Sequence, residues 1–492
     1  MTFPFRHSVH ARTFFESGSL SPQRSAQGSR AAIPCFPKTG KNDDPLVIPS
    51  RRPRGRPVTL CAAMILYRCV SSLSLSSPRG STALSSMAAS PVEAVPAGRE
   101  GCAPFTFVFV GTGVSTGLPV LRHPLDTKEP CACAAALADP AHSPNWRNNV
   151  SLMILPPAST TPPVRTAEVV SGDEVIPGLP AGVTLVGKRE SPDGGGRDFI
   201  LIDCGKTFRD AYFRTMRRWG VTQLRSLLLT HEHADAVNGI DDLRDFQDYR
   251  SDAEYKYCVV DQPMLAYMSA FTKATLTRSI PYIVNPAVPY GPAHELADAI
   301  ITGETRQTVA VSRRRLILGI VDIDDTQPQP LKIAGMPLAV PCWSFPVFHG
   351  DSYVSLGFVF GAPAASSLRD GASSSATRRD CVVYLSDVSA VPDATMVFLR
   401  GLGTIDVFVV DCLLGPGEKH FSHWCVDQAW DAIVALQPRQ TFCVGMYCDL
   451  EHERTNAMWT QRLARYKREN NPTSTIEAVA CAFDGQSFVS WM

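Results

Sequence analysis

The chain has 492 residues, with 47 basic side chains balancing 47 acidic ones and 45% hydrophobic residues. A net charge of zero leaves no global field to gather nucleic acid or an anionic membrane, although a local patch would not show in the sum. Fifteen cysteines, an odd number without repeating spacing, suit a reducing compartment and argue against a disulfide framework.

Residues 1–100 are rich in Ser, Arg and Pro, with Glu16, Asp43, Asp44, Glu93 and Glu100 their only acids, and show no sustained helix or strand period. They are predicted to be a disordered or targeting extension. The expected compartment is therefore the cytoplasm, or a mitochondrion or plastid if the extension is a transit segment; Met64 and Met87 are alternative starts. The run Val58 to Val70, interrupted by Arg68, is too short to span a bilayer, so no membrane partner is expected.

One large domain over residues 104–490 is expected next. Gly111-Thr112-Gly113 lacks the helix-opening pattern of a dinucleotide fingerprint and reads as a tight turn. Cys131 and Cys133 form a Cys-x-Cys pair, and Pro144 to Asn149 leads into a strand at Val150–Leu155. A Pro- and Gly-rich excursion near 156–197 separates that strand from another at Phe199–Asp203. Apolar residues at helical spacing predict a helix from Thr207 to Trp219, stopped by Gly220.

Leu227-Leu228-Leu229 then runs into Thr230-His231-Glu232-His233-Ala234-Asp235. In extended chain His231, His233 and Asp235 lie on one side, and imidazole with carboxylate is a ligand set for zinc, with manganese or iron as alternatives at oxygen-rich positions. Asp241 and Asp242 follow closely as further oxygen donors, though acids in a turn are more often solvated.

Later apolar runs end in the same residue types. Pro346-Val347-Phe348 leads to His349, Cys381 to Leu385 leads to Ser386-Asp387, and Val407 to Val410 leads to Asp411. An Ala/Ser-rich insertion near 362–379 splits a hairpin between Leu356–Gly361 and Cys381–Ser386. His423 precedes a helix predicted over Asp427–Leu436, and a second helix is predicted over Asn456–Lys467. Trp430 and Trp459 on those helices read as core, and His420 as solvated.

The order of these motifs resembles the metallo-β-lactamase superfamily of hydrolases, with Asp203 of Asp203-Cys204-Gly205 as the Asp-x-Gly element that supports the site without binding metal. Phe109 to Gly113, Cys131 to Cys133, Pro144 to Asn149, His231 to Arg244 and Gly445 to His452 further resemble the phosphoribosyl cyclic-phosphate phosphodiesterases and their plant and fungal relatives. The resemblance implies an α/β fold, the four-layer αββα sandwich of two facing sheets with helices outside each. It also implies one ion at His231, His233 and His349, with Asp387 bridging to a second ion that takes Asp235 and Cys448. Two such ions about 3.5–4 Å apart would activate water as the nucleophile. His423 matches a catalytic histidine that donates a proton to the leaving oxygen. Cys131, Cys133 and His452 match a structural zinc position.

The resulting expectation is a metallohydrolase of a small phosphodiester, cyclic ones included, holding one or two catalytic zinc ions and one structural zinc, with manganese as an alternative. A thioester or ester hydrolase of the glyoxalase II type, and a non-catalytic binding descendant, are the competing readings. Ala236 gives weight to the last, because it stands where the fuller motif has a histidine. Oligomeric state is left open by the sequence, with a homodimer one option.

Overall fold

Period-two alternation along the strands decides the layering. In β1 (Pro104–Gly111) Phe105, Phe107 and Phe109 enter one apolar cluster, whereas Val108 and Val110 enter another on the opposite face. The computed structural model describes residues 101–492 apart from 124–130, 158–178, 181–182, 184, 186–195, 255, 305–307, 312–314 and 362–377. The predicted extension over 1–100 lies outside the described residues, as does most of both expected insertions.

The first sheet continues with β2 (Ser151–Leu155), β3 (Arg197–Ile202) and β4 (Val221–Leu228). A small three-stranded sheet follows, of β5 (Arg250–Ser251), β6 (Cys258–Val260) and the later β9 (Val309–Val311). With β7 (Met264–Ser269), β8 (Val284–Pro292), β10 (Leu318–Ile323) and β18 (Ser487–Trp491), the first sheet has eight strands in the order β18-β1-β2-β3-β4-β7-β10-β8. Pairing is antiparallel from β18 to β3 and parallel from β3 to β8.

The second sheet runs in sequence order through β11 (Gln329–Leu331), β12 (Cys342–Phe348), β13 (Val354–Phe360), β14 (Val382–Leu385), β15 (Val407–Asp411), β16 (Gln440–Val444) and β17 (Ala478–Cys481). β13 and β14 pair antiparallel, so the hairpin read from the sequence forms across the insertion. From β14 to β17 the strands are parallel. Because β12 is antiparallel to β13, it runs in the same sense as β14. The carboxyl ends of β12, β14, β15 and β16 therefore meet at one edge, which is why each apolar run could end in a functional residue.

Three cores separate four layers. The inner one joins Phe105, Phe107 and Phe109 of the first sheet to Phe358, Phe360, Val407 and Val409 of the second. On the far side of the second sheet, Phe408 and Val410 meet the helices Asp393–Gly401, Val426–Leu436 and His452–Glu469. Trp430 and Trp459 lie in this cluster, their rings 6.1 Å apart. Burying a Trp459-sized side chain fully contributes about 3 kcal/mol or more. The first sheet's far side is covered by the segment after Thr207 and by the helix Ala270–Ser279.

That segment departs from the single predicted helix. It is one α turn (Phe208–Ala211), a π turn (Tyr212–Met216) and a 3₁₀ turn (Arg217–Trp219), closed by Gly220 at φ 64°. The Thr215 hydroxyl bonds back to the Ala211 carbonyl at 2.7 Å, a contact that bends helices. Among the described residues no helix is long and apolar enough to cross a membrane.

Candidate functional site

The site is assembled at the carboxyl edges of both sheets. β3 ends at Asp203 and β14 at Ser386-Asp387; both aspartates take left-handed backbone, φ 58° and 50°, a conformation uncommon outside glycine and tolerated best by Asp and Asn. Gly205 lets the turn after Asp203 lie against the histidine loop, since a Cβ there would sit 1.9 Å from the Asp235 carbonyl.

Asp203 sits directly behind the histidine loop. Its buried carboxylate accepts from the Thr230 amide at 2.9 Å and the Thr230 hydroxyl at 2.8 Å. With its hydrogen spent on Asp203, the Thr230 oxygen can only accept from His231 Nδ1, 2.8 Å away. The proton of His231 is thereby assigned to Nδ1 and the lone pair to Nε2, an atom buried without a hydrogen-bond partner. His349 is set in the same tautomer, because its Nδ1 donates to the Ser422 carbonyl at 2.7 Å. Burial lowers the pKa of His231 to about 3, keeping it neutral as a metal ligand requires.

His231, His233 and His349 converge, with ligand atoms all within 4.8 Å of one another. His349, Asp387 and His423 form a second such group. Three converging imidazoles, two of them with Nε2 left free to bind, and a carboxylate beside them fit one divalent ion, and the partnerless Nε2 of His231 has no other evident role. Asp235 lies with Asp203, Ala236, Asp387, His423 and Gly445 around a cavity of about 10 Å³, space for about one water-sized sphere. Its carboxyl pKa is raised by burial and by the neighbouring Asp387. Gly113 also lines this cavity, where a Cβ would clash with Arg147 at 2.7 Å.

His423 stands 4.7 Å, ring to ring, from His349, and its Nδ1 donates to Asp411 Oδ2 at 2.8 Å. Burial would lower its pKa, but the charge and hydrogen bond of Asp411 outweigh that and raise it to about 9. Asp411, noted in the sequence only as a strand-ending carboxylate, is the partner that the motif reading did not supply. His420 is exposed, as expected.

Two expected groupings are corrected. Cys448 does not join Asp235 and Asp387: it gathers with His123 and Cys133, ligand atoms within 4.8 Å of one another. Cys131 completes this group, its Sγ 3.8 Å from His123 Nδ1, while Cys448 Sγ lies 3.9 Å from His123 Nε2. His452, the expected third ligand, is elsewhere. Its amide donates to Asn145 Oδ1 at 2.8 Å and its ring meets Phe483 at 5.7 Å. The cause is a turn at Tyr447–Leu450, after which the helix beginning at His452 carries that side chain away from the cysteines. His123 had no motif to announce it beyond lying eight residues before Cys131. Burial, then Cys133 and Cys131, push the Cys448 thiol up to about 12, so a cation is needed to hold thiolates here. Asp241 and Asp242 are paired with Arg244 and Arg209 and supply no ligand.

A four-layer sandwich with histidines and aspartates converging along one edge defines the metallo-β-lactamase class of hydrolases. The chain belongs to that superfamily: the family described as "Beta-lactamase superfamily domain" matches residues 199–446, just over half of the chain, from β3 to just past β16. A search of curated proteins finds no match. Among solved structures the chain is similar to a diphosphatase from the PhnP family, at 18% identity over 80% of this chain and 99% of that one, with a TM-score of 0.45. It is also similar to zinc-bound PqqB from Methylobacterium extorquens (12%, 78% and 99%, TM-score 0.42) and to the short form of human tRNase Z (12%, 78% and 98%, TM-score 0.37).

Proposed function

We propose that the protein is a metal-dependent hydrolase of a small phosphodiester, cyclic ones included, with zinc as the ion and manganese as a substitute. The single observation that carries this reading is the hydrogen-bonded His423–Asp411 pair, 2.8 Å apart, beside three converging imidazoles. His231, His233, His349 and Asp387 would hold a divalent ion, which would supply Lewis acidity and lower the pKa of a bound water to about 7. Asp203 and Thr230 fix the His231 tautomer, and Ser422 fixes that of His349. His423, held protonated at neutral pH by Asp411, gives its Nε2 proton to the leaving oxygen. An alkoxide leaving from phosphorus needs that proton far more than a thiolate leaving from a thioester does, which favours the phosphodiester over the glyoxalase-type alternative. Cys131, Cys133, Cys448 and His123 would hold a structural zinc, a soft-donor set that suits that ion.

The test is a panel of cyclic phosphates, linear diesters and thioesters offered to the purified, zinc-loaded chain and to Asp387→Ala. The reading expects diester turnover abolished by the substitution. Thioester turnover alone would refute it, and a well-folded, metal-loaded chain inert to all three classes would leave a binding protein.

A further inference from the structure

A metal site works only if each ligand is held in orientation, and the three imidazoles are not held alike. His231 is tethered through Thr230 and His349 through the Ser422 carbonyl, and both are buried. His233 is exposed, and its ring makes no hydrogen bond to any described residue. What it has is Tyr353: the two rings lie nearly parallel, 10° apart, with centroids separated by 4.9 Å. Tyr353 also meets His231 and His349 edge-on at 6.1 and 5.8 Å. Phe271, at the start of the helix Ala270–Ser279, packs edge-on against Tyr353 at 6.0 Å.

The tyrosine is itself fixed. It closes the turn between β12 and β13, where the His349 amide donates to the Tyr353 carbonyl at 2.8 Å. Its hydroxyl is buried next to Glu232, and burial together with that carboxylate raises its pKa, yet it reaches no partner in full hydrogen-bond geometry. The part of Tyr353 that meets His233 is the ring face. We propose that Tyr353 is the positioning residue for His233, its ring face replacing the hydrogen bond that orients each of the other two histidines.

This rests on the metal-binding reading of the three histidines, and the experiment separates the two. Cobalt(II) is titrated into the full chain, because an imidazole–carboxylate site gives visible d–d bands whereas the cysteine cluster adds thiolate charge-transfer absorption in the near ultraviolet. Aromatic pairing of this kind should make Tyr353→Leu weaken cobalt at the histidine site by about 3–10-fold, leave the thiolate band unchanged, and be rescued by Tyr353→Phe. Equal affinity in Tyr353→Leu and wild type would overturn the proposal. A loss in Tyr353→Phe as large as in Tyr353→Leu would also overturn it, since the hydroxyl would then be the working part. If Tyr353→Leu does not fold, Phe271→Ala, a change at an exposed position, should give a smaller shift of the same sign, and no shift counts against the idea. Wild-type protein that takes cobalt only at the cysteines would sink the underlying metal reading instead.

Discussion

Replacing Asp411 by Asn should move the alkaline limb of activity without disturbing the metal ligands. Asn keeps the shape and can still accept from His423 Nδ1, but it removes the charge that, against the opposing effect of burial, raises the imidazole pKa to about 9. Without it the group should fall to the ordinary imidazole value of about 6.5 or below. A general acid works only while protonated, so turnover is present below its pKa and lost as pH rises through it. At pH 8 the protonated fraction would drop from about 0.9 to about 0.03, a loss of about 30-fold, while near pH 6 the two proteins should differ by only about 1.3-fold. The assay is kcat/KM from about pH 6 to about pH 10 with zinc saturating, on one diester with an alkoxide leaving group and one with a nitrophenolate. The nitrophenolate, which needs little protonation, should show a much smaller change. An alkaline limb in the same place for both proteins, or a loss uniform across pH and leaving group, would refute the role given to the pair.

Cys448→Ser and His123→Ala should each cost one zinc equivalent and lower Tm while the folded fraction keeps its kcat, because metal binding at such a cluster is coupled to folding. His452→Ala should leave the zinc count unchanged; elemental analysis showing a lost zinc would restore it as a ligand. Asp484 accepts from the Thr112 hydroxyl and from the amide and side chain of Asn148, and burial raises its carboxyl pKa to about 7. Its folded pKa thus exceeds the unfolded value near 3.8, so the stability it contributes is full below that value and lost as pH rises through about 7. Asp484→Asn should flatten the fall of Tm between pH 5 and pH 8, and an unchanged slope would count against this assignment.

The histidine–aspartate edge was legible because parallel strands stop at a common level, so an apolar run followed by His349, Asp387 or Asp411 already carries its three-dimensional address. Helical spacing of apolar residues likewise placed Trp430 and Trp459 in the core. The cysteine cluster was only half legible. Cys131 and Cys133 are neighbours in sequence, but which of Cys448 and His452 faces them depends on the turn at Tyr447–Leu450, and His123 reaches the group from a segment without periodic pattern. The π turn after Phe208 was hidden for a similar reason, since Tyr212 and Met216 keep helical spacing while Thr215 diverts the hydrogen bonding. Ala236 signalled a departure at the second-ion position, whereas the Asp411–His423 contact needed the loop after β15 to turn His423 back onto the last residue of that strand.

The antiparallel pairing of β1 with β18 joins Pro104 to Trp491, 387 positions later. Every strand of the second sheet is synthesised between those partners, so the first sheet cannot close its edge on the ribosome before nearly all of the chain has emerged. Until then the row of amide and carbonyl groups along β1 is an open template for other chains. Such long-range closure is entropically costly and slow, which ties the domain's yield to protection of that edge during synthesis. A truncation that removes β18 should therefore behave as an aggregation problem before it registers as a loss of chemistry, although β18 itself contributes no side chain to the ligand groups.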